Sequence, residues 1–324
     1  MNAASSWAAW PVLRRWAVPA SLLALVVAIS LATPSFWSGE NLLNITRQMS
    51  INAIIAAGMT LVILTGGIDL SVGSVLAFVG IVTALMLKSG VGVAVGVLAG
   101  ALVGGALGTL NGLLIAFGRL PPFVVTLAMM AVARSLTRVV TQNKSLYHLP
   151  EGLSLLSETL DVSFARVHVL LPVPFLLTGL VYGLGYVLLT HYPLGRYIYA
   201  VGGNEEAARL AGVPVRRVKI IVYASCGALA GFAGVLAISR LAAADPTSGV
   251  MMELDAIAAV VIGGGSLTGG RGHIFGTIVG VVIIAVLHNV MTLLDINPDW
   301  QGSVLGAVVL VAVLAGKRKG EAAR

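Results

Sequence analysis

Charge is scarce in this chain. Asp, Glu, Lys and Arg make up 10% of its 324 residues, against roughly 25% in soluble domains. Apolar side chains make up 58%, and the mean hydropathy is +0.98. No single soluble core hides that much apolar surface, which leaves a polytopic helical membrane protein. Cysteine is nearly absent. Cys226 alone forms no internal disulfide and builds no Cys-based metal site. It reads as a small residue inside an apolar helix. The phosphate-cradling motif G-x-x-x-x-G-K-[ST] is missing, and the Gly-rich "GGGSLTGGRG" at 263–272 fits neither it nor G-x-G-x-x-G. An ATP-driven machine built on this chain therefore hydrolyses ATP on another subunit. His168, His191, His273 and His288 are dispersed without metal-ligand spacing, and are expected at interfaces.

What is present is length in apolar runs. About ten spans of about 20 residues each fit the sequence. They lie near 17–33, 45–65, 70–87, 91–117, 121–141, 169–190, 220–241, 254–268, 274–294 and 301–316. The run after Arg14 and Arg15 has the look of a signal peptide, but many spans follow it. Trp16, Phe36 and Trp37 bracket it as interface anchors, so it is expected to stay as the first span. The 39 glycines sit inside apolar runs, where small residues let membrane helices approach closely.

The net charge of +7 points to topology rather than to nucleic acid. With the N-terminus in the cytosol, cytosolic segments collect Arg14, Arg15, Arg119, Arg196, Arg209, Arg216, Arg217, Lys219, Arg271, Lys317, Arg318, Lys319 and Arg324. The opposite side and the span interiors keep Arg47, Lys88, Arg134, Arg138, Lys144, Arg166 and Arg240. Lys and Arg favour the cytosolic side, so both termini are expected there. One transmembrane domain then fills 1–324, with a cytosolic N-terminal segment 1–16, a cytosolic loop 191–219 and a cytosolic tail 317–324. Segment 142–168 lies outside.

The loop 191–219 writes a short helix with its own punctuation. Asn204 is a good N-cap, and Glu205 and Glu206 suit the positive end of the helix dipole. Ala207, Ala208, Leu210 and Ala211 are strong helix formers, and Glu205 is spaced to pair with Arg209. Gly212 suits the position just past the end, and Pro214 stops continuation. A helix of about seven residues is marginal alone in water. Ala207, Leu210 and Ala211 offer it a small apolar face for docking. An ordinary capped connector is the plainer reading of the same residues.

Other polar groups interrupt the apolar spans. Gly66 and Gly67 break one helix, and Asp69 is placed to cap the next, with Ser71 and Ser74 following. A carboxylate there is either a gate or pathway group or a cap satisfied by backbone N–H. Asn111 beside Gly112 either faces a pathway or bonds across helices. Pro121 and Pro122 start a helix, after which Phe123 and Thr126 are expected on one side. Phe123 either narrows a pore or simply packs. Glu253 and Asp255 either cap the span they precede or meet a partner's polar rim on the outer side.

The stretch "EAARLAG" at 206–212 resembles the E-A-A-x-x-x-G loop of permease subunits of ABC importers. With it, in order, come "GGIDLSVGS" at 66–74, Asn111-Gly112, "PPFVVTL" at 121–127, "LGRYIYAVGGNEEAARLAGV" at 194–213 and "ELDAIAAVVIGGGSLTGGRG" at 253–272. Together, over about 40–316, they resemble the ribose-type sugar permeases, relatives of the branched-chain amino acid permeases. The resemblance implies a multi-pass bacterial inner-membrane subunit that moves a monosaccharide and is not itself an enzyme. It implies a coupling helix at Asn204, Glu205, Glu206, Ala207, Ala208, Arg209, Ala211 and Gly212, seated in a cytosolic ATPase. Gly66, Gly67, Asp69, Ser71, Asn111, Phe123 and Thr126 become candidates for the pathway or its gate. The implied partners are that ATPase, a second permease subunit and a periplasmic binding protein. No cofactor or metal is expected on this chain; ATP and Mg belong to the ATPase. The alternatives are an amino acid permease of the sister group and a proton-coupled transporter with Asp69 as carrier. The 263–272 loop looks more like the sugar group.

Overall fold

The computed structural model describes residues 33–164, 167–297 and 300–308, together with 24, 27, 31 and 310. The segment 1–16, most of the span at 17–33, Arg166 and the tail 317–324 lie outside the described residues. Ten helices carry labels: α1 (Gly39–Leu64), α2 (Val72–Lys88), α3 (Val93–Ala116), α4 (Pro122–Thr141), α5 (Val173–His191), α6 (Pro193–Gly203), α7 (Glu205–Leu210), α8 (Val215–Leu241), α9 (Met252–Ile262) and α10 (Ile274–Leu293). Residues 300–308 are also helical. An antiparallel hairpin, β1 (Thr159–Phe164) and β2 (Val167–Pro172), pairs Thr159 with Pro172 and Phe164 with Val167. The chain is thus a helical, polytopic membrane protein. Six of the helices, α1, α3, α4, α5, α8 and α10, are long and apolar enough to cross a membrane.

Over residues 53–64 α1 is apolar on every side but for Thr60, which fits a helix enclosed by others. Residues 50–64 are all buried. Tyr182 of α5 donates to the Ala53 carbonyl at 3.1 Å, and Thr60 pairs with Thr277 of α10 at 2.8 Å. Beside α1, α3 and α8 pack backbone to backbone. Gly96, Gly100, Gly104, Gly108 and Gly112 recur every four residues, so they line one face of α3. A Cβ on Gly104 would fall on the Gly227 carbonyl, and one on Gly227 would fall on the Gly104 carbonyl. The glycines are therefore a packing seam, as small residues are in membrane bundles.

The two ends of the bundle differ. One holds α6, α7 and the 263–273 loop, where Gly270 N donates to the Leu64 carbonyl at 3.0 Å. The other holds the hairpin and the loop 142–158. There Lys88 donates to the Tyr147 carbonyl at 3.0 Å, and Ser239 to the Leu153 carbonyl at 2.7 Å.

Two expectations about the spans need correction. The apolar run at 169–190 begins as strand, and its helix starts only at Val173, after Pro172. An apolar stretch of four to eight residues reads equally as strand or helix. The span at 254–268 is a helix of 11 residues, α9. That is about 16 Å, half the thickness of a bilayer core. The Gly-rich 263–265 ends it.

Candidate functional site

The insert at 204–212 folds as its sequence punctuates it, one residue shorter than expected. Asn204 is extended, and its side chain accepts from Ala207 N at 2.9 Å. Gly212 takes φ +83°, the left-handed conformation that glycine adopts without strain. Its N–H reaches the Arg209 carbonyl at 3.1 Å, and Val213 N reaches that of Ala208 at 3.0 Å. The charge pairing differs from expectation. Arg209 bonds Glu206, at 2.5 Å and 3.2 Å, and not Glu205. Glu205 instead takes Lys219 of α8 at 2.7 Å and 2.8 Å, a tertiary contact that sequence spacing on one helix does not reveal. The Arg209 guanidinium, bonded and close, holds the Glu206 carboxyl below the usual carboxylate range.

These contacts sort the faces of α7. Ala208 turns inward and is buried, while Glu206, Ala207, Leu210 and Ala211 are exposed. Leu210 is 79% exposed. A capped helix thus presents an apolar tip with two alanines beside it.

The second group surrounds the break between α1 and α2. Gly66 takes φ +80°. A Cβ on Gly67 would fall on the Tyr223 hydroxyl. Asp69 Oδ1 accepts from Ser71 N at 2.9 Å and from Ser71 Oγ at 2.6 Å. Asn111 Nδ2 donates to Ser71 Oγ at 3.1 Å, and Thr126 Oγ1 to the Ile68 carbonyl at 3.2 Å. Asp69, Ser71, Asn111 and Thr126 are all buried, at 1% exposure or less. Asn111 therefore ties α3 to the start of α2, and Thr126 ties α4 to the break. Phe123 parts from Thr126. It is 53% exposed and faces outward from α4, so the two do not share a side.

Sequence reasoning missed a third group. His288, expected at an interface, lies inside the bundle, with Nε2 3.2 Å from Asp255 Oδ1 and Nδ1 3.2 Å from Gln301 Oε1. Asn52 Nδ2 reaches the other Asp255 oxygen at 3.4 Å. Four elements meet there. The only signal in sequence was polarity inside apolar runs.

The model of the family described as the permease component of branched-chain amino acid transport systems matches residues 41–313. The ribose import permease protein of Bacillus subtilis is 47% identical over 299 residues, 92% of this chain and 91% of its own. That of Haemophilus influenzae is 43% identical over 296 residues, 91% of this chain and 90% of its own. The D-allose transport system permease protein of Escherichia coli is 38% identical over 296 residues, 90% of this chain and 88% of its own. No solved structure matches the chain. A match over residues 41–313 takes in the helix break, the Gly-rich loop and α7 alike, and the chain belongs to this family of transport permease components.

Proposed function

We propose that this chain is the membrane-spanning permease subunit of an ATP-driven importer for a monosaccharide. A binding protein delivers the sugar on the outer side, and a separate ATPase, which holds ATP and Mg, drives the cycle. The observation that carries this reading is α7. It is a helix capped at both ends that leaves Leu210, Ala207 and Ala211 uncovered, in a chain whose relatives are named as sugar permeases. An apolar tip beside alanines suits a groove on a partner. The chain supplies a pathway, and a second permease subunit completes it. About ten spans with both termini cytosolic remain our topology, which puts α7 and the 263–273 loop in the cytosol. The bacterial inner membrane is its place.

Asp69 is, in this reading, a structural cap of the helix break and a hinge for gating. Two short bonds from Ser71 to one carboxylate oxygen support it. The experiment is reconstitution with the ATPase and binding protein in liposomes. ATP-dependent uptake of D-ribose, D-allose or L-arabinose, without uptake of leucine, is expected. Accumulation by the permease alone under a proton gradient would overturn the reading.

A further inference from the structure

A cleft of about 480 Å³ opens between α4 and the start of α9. Arg134, Ser135 and Arg138 of α4 and Glu253 of α9 line it, with Met130 and Val250 as apolar walls. Its depth follows from helix lengths. Arg134 lies about 18 Å along α4 from Pro122, in a helix of about 30 Å. It is therefore inside the hydrocarbon thickness, about 10 Å from the far end of α4. α9 is too short to span, so the irregular segment 242–251 covers the remaining depth. Irregular backbone at such depth is stable only when buried in protein or beside a watery cavity. Arg134 Nη1 serves that backbone, donating to the Pro246 carbonyl at 3.0 Å and the Ser248 carbonyl at 2.7 Å. The start of α2 meets the same place. A Cβ on Gly73 would lie 2.6 Å from Glu253 Oε2 and would fall on the Gly249 carbonyl.

Two interrupted helices thus meet beside a charged cleft. Ionisable groups inside membrane spans face the bundle interior or a watery cavity, because lipid would leave them unsolvated. Ser135 and Arg138 are exposed on α4, so this face of α4 points to water or to a second subunit. Interrupted helices near mid-depth are also where transporters hold their substrates.

We propose that this cleft is a sugar subsite of the pathway, which takes a neutral pentose or hexose. The inference rests on the sugar-importer reading above. The chemistry fits a polyol. Glu253 accepts, Arg138 donates through a planar fork, and Ser135 does either, while each sugar hydroxyl does both. Arg134 is a positioning residue, since its Nη1 is committed to the loop. Its guanidinium stays cationic, so Arg134, Arg138 and Glu253 leave the cleft one surplus positive charge, while Glu253 supplies the acceptor that a sugar hydroxyl needs and that would repel an anionic ligand. Met130 and Val250 cover the C–H face of the ring.

The test uses the full importer in liposomes. The Ser135→Cys variant is treated with a small charged thiosulfonate, and the wild type is the blank because Cys226 is buried. Labelling of S135C above the blank, slowed by D-ribose delivered on its binding protein, is expected. Ala131→Cys, on the same wall, repeats the measurement if S135C does not assemble. Glu253→Gln is expected to lower ribose uptake roughly tenfold, because the amide oxygen still accepts but the charge that strengthens the bond is gone, while ATP hydrolysis stimulated by the binding protein persists. No labelling in a variant that still takes up ribose would overturn the subsite and leave the importer standing. Unchanged ribose uptake by Glu253→Gln would overturn it too. Failure of the wild type to take up any sugar would instead refute the importer reading itself.

Discussion

Leu210 is the sharpest point at which to test the docking of α7. It is 79% exposed, so its removal costs the isolated chain almost nothing. In a partner groove the same side chain is covered. Leu210→Ala removes three carbons, each contributing about 0.8 kcal/mol when buried, and about four-fifths of that surface is available to a partner. The docking loss is about 2 kcal/mol, roughly thirtyfold in the association constant. The assay is titration of the purified ATPase against the permease in lipid discs, with folding followed separately by thermal unfolding. The expected result is weaker docking with an unchanged unfolding temperature. Equal affinity for Leu210→Ala and wild type would refute the assignment and leave α7 a connector held by Lys219.

Three further outcomes follow from the same geometry. Gly104→Val drives a branched side chain onto the Gly227 carbonyl, and overpacking of about 1–3 kcal/mol should appear as a lower unfolding temperature in detergent. Asp69→Asn keeps an oxygen for Ser71 but loses the charge, so the bonds weaken by about half; uptake should fall yet stay driven by ATP, and loss of a proton-driven uptake would retire the ABC mechanism. A reporter active only in the cytosol should give signal at Asn204 and none at Gly152, and the reverse pattern would overturn the topology.

Legibility in the sequence followed the range of the forces involved. The ends of α7 depend on neighbours within four residues, so Asn204, Gly212 and the two first-turn carboxylates could be read directly. The partner of Glu205 could not, because Lys219 comes from another helix. The break at Gly66 and Gly67 was legible, but the depth of Asp69 was not. That depth is set by what closes around it: Ser71 just before α2, and Tyr223 and Cys226 of α8. The shortness of α9 was hidden for the same reason. Hydropathy continues through 254–268, while the helix ends where Gly263 meets the Gly276 backbone. The hairpin was missed because "VHVLLP" is as apolar as a span. The glycine spacing from Gly96 to Gly112 was present in the sequence, but only the α8 backbone shows what it is for.

Two adjacent glycines offer a test of how movement of α7 reaches the pathway. α6 leads directly into α7 and ends at Gly202 and Gly203. A Cβ on Gly202 would fall on the Leu64 carbonyl and lie 2.5 Å from Gly270 N, both backbone atoms. A Cβ on Gly203 would meet nothing within 4 Å. A Cβ on Gly269 would lie 2.7 Å from the Gly202 carbonyl and 2.8 Å from Gly66 N, and Tyr199 donates to the Gly272 carbonyl at 3.0 Å. The end of α6 therefore rests on both the break after α1 and the loop after α9. Backbone against backbone leaves no flexible side chain to absorb a displacement, so a push on α7 arrives at both breaks. Gly202→Ala wedges this junction open and costs about 1–3 kcal/mol in overpacking. It should keep ATPase docking, because the Leu210 face is untouched, and should lose sugar uptake per ATP hydrolysed. Gly203→Ala should match wild type in both. Equal coupling in the two variants would mean that the glycine junction carries no motion, and that α7 acts on the pathway through α8 instead.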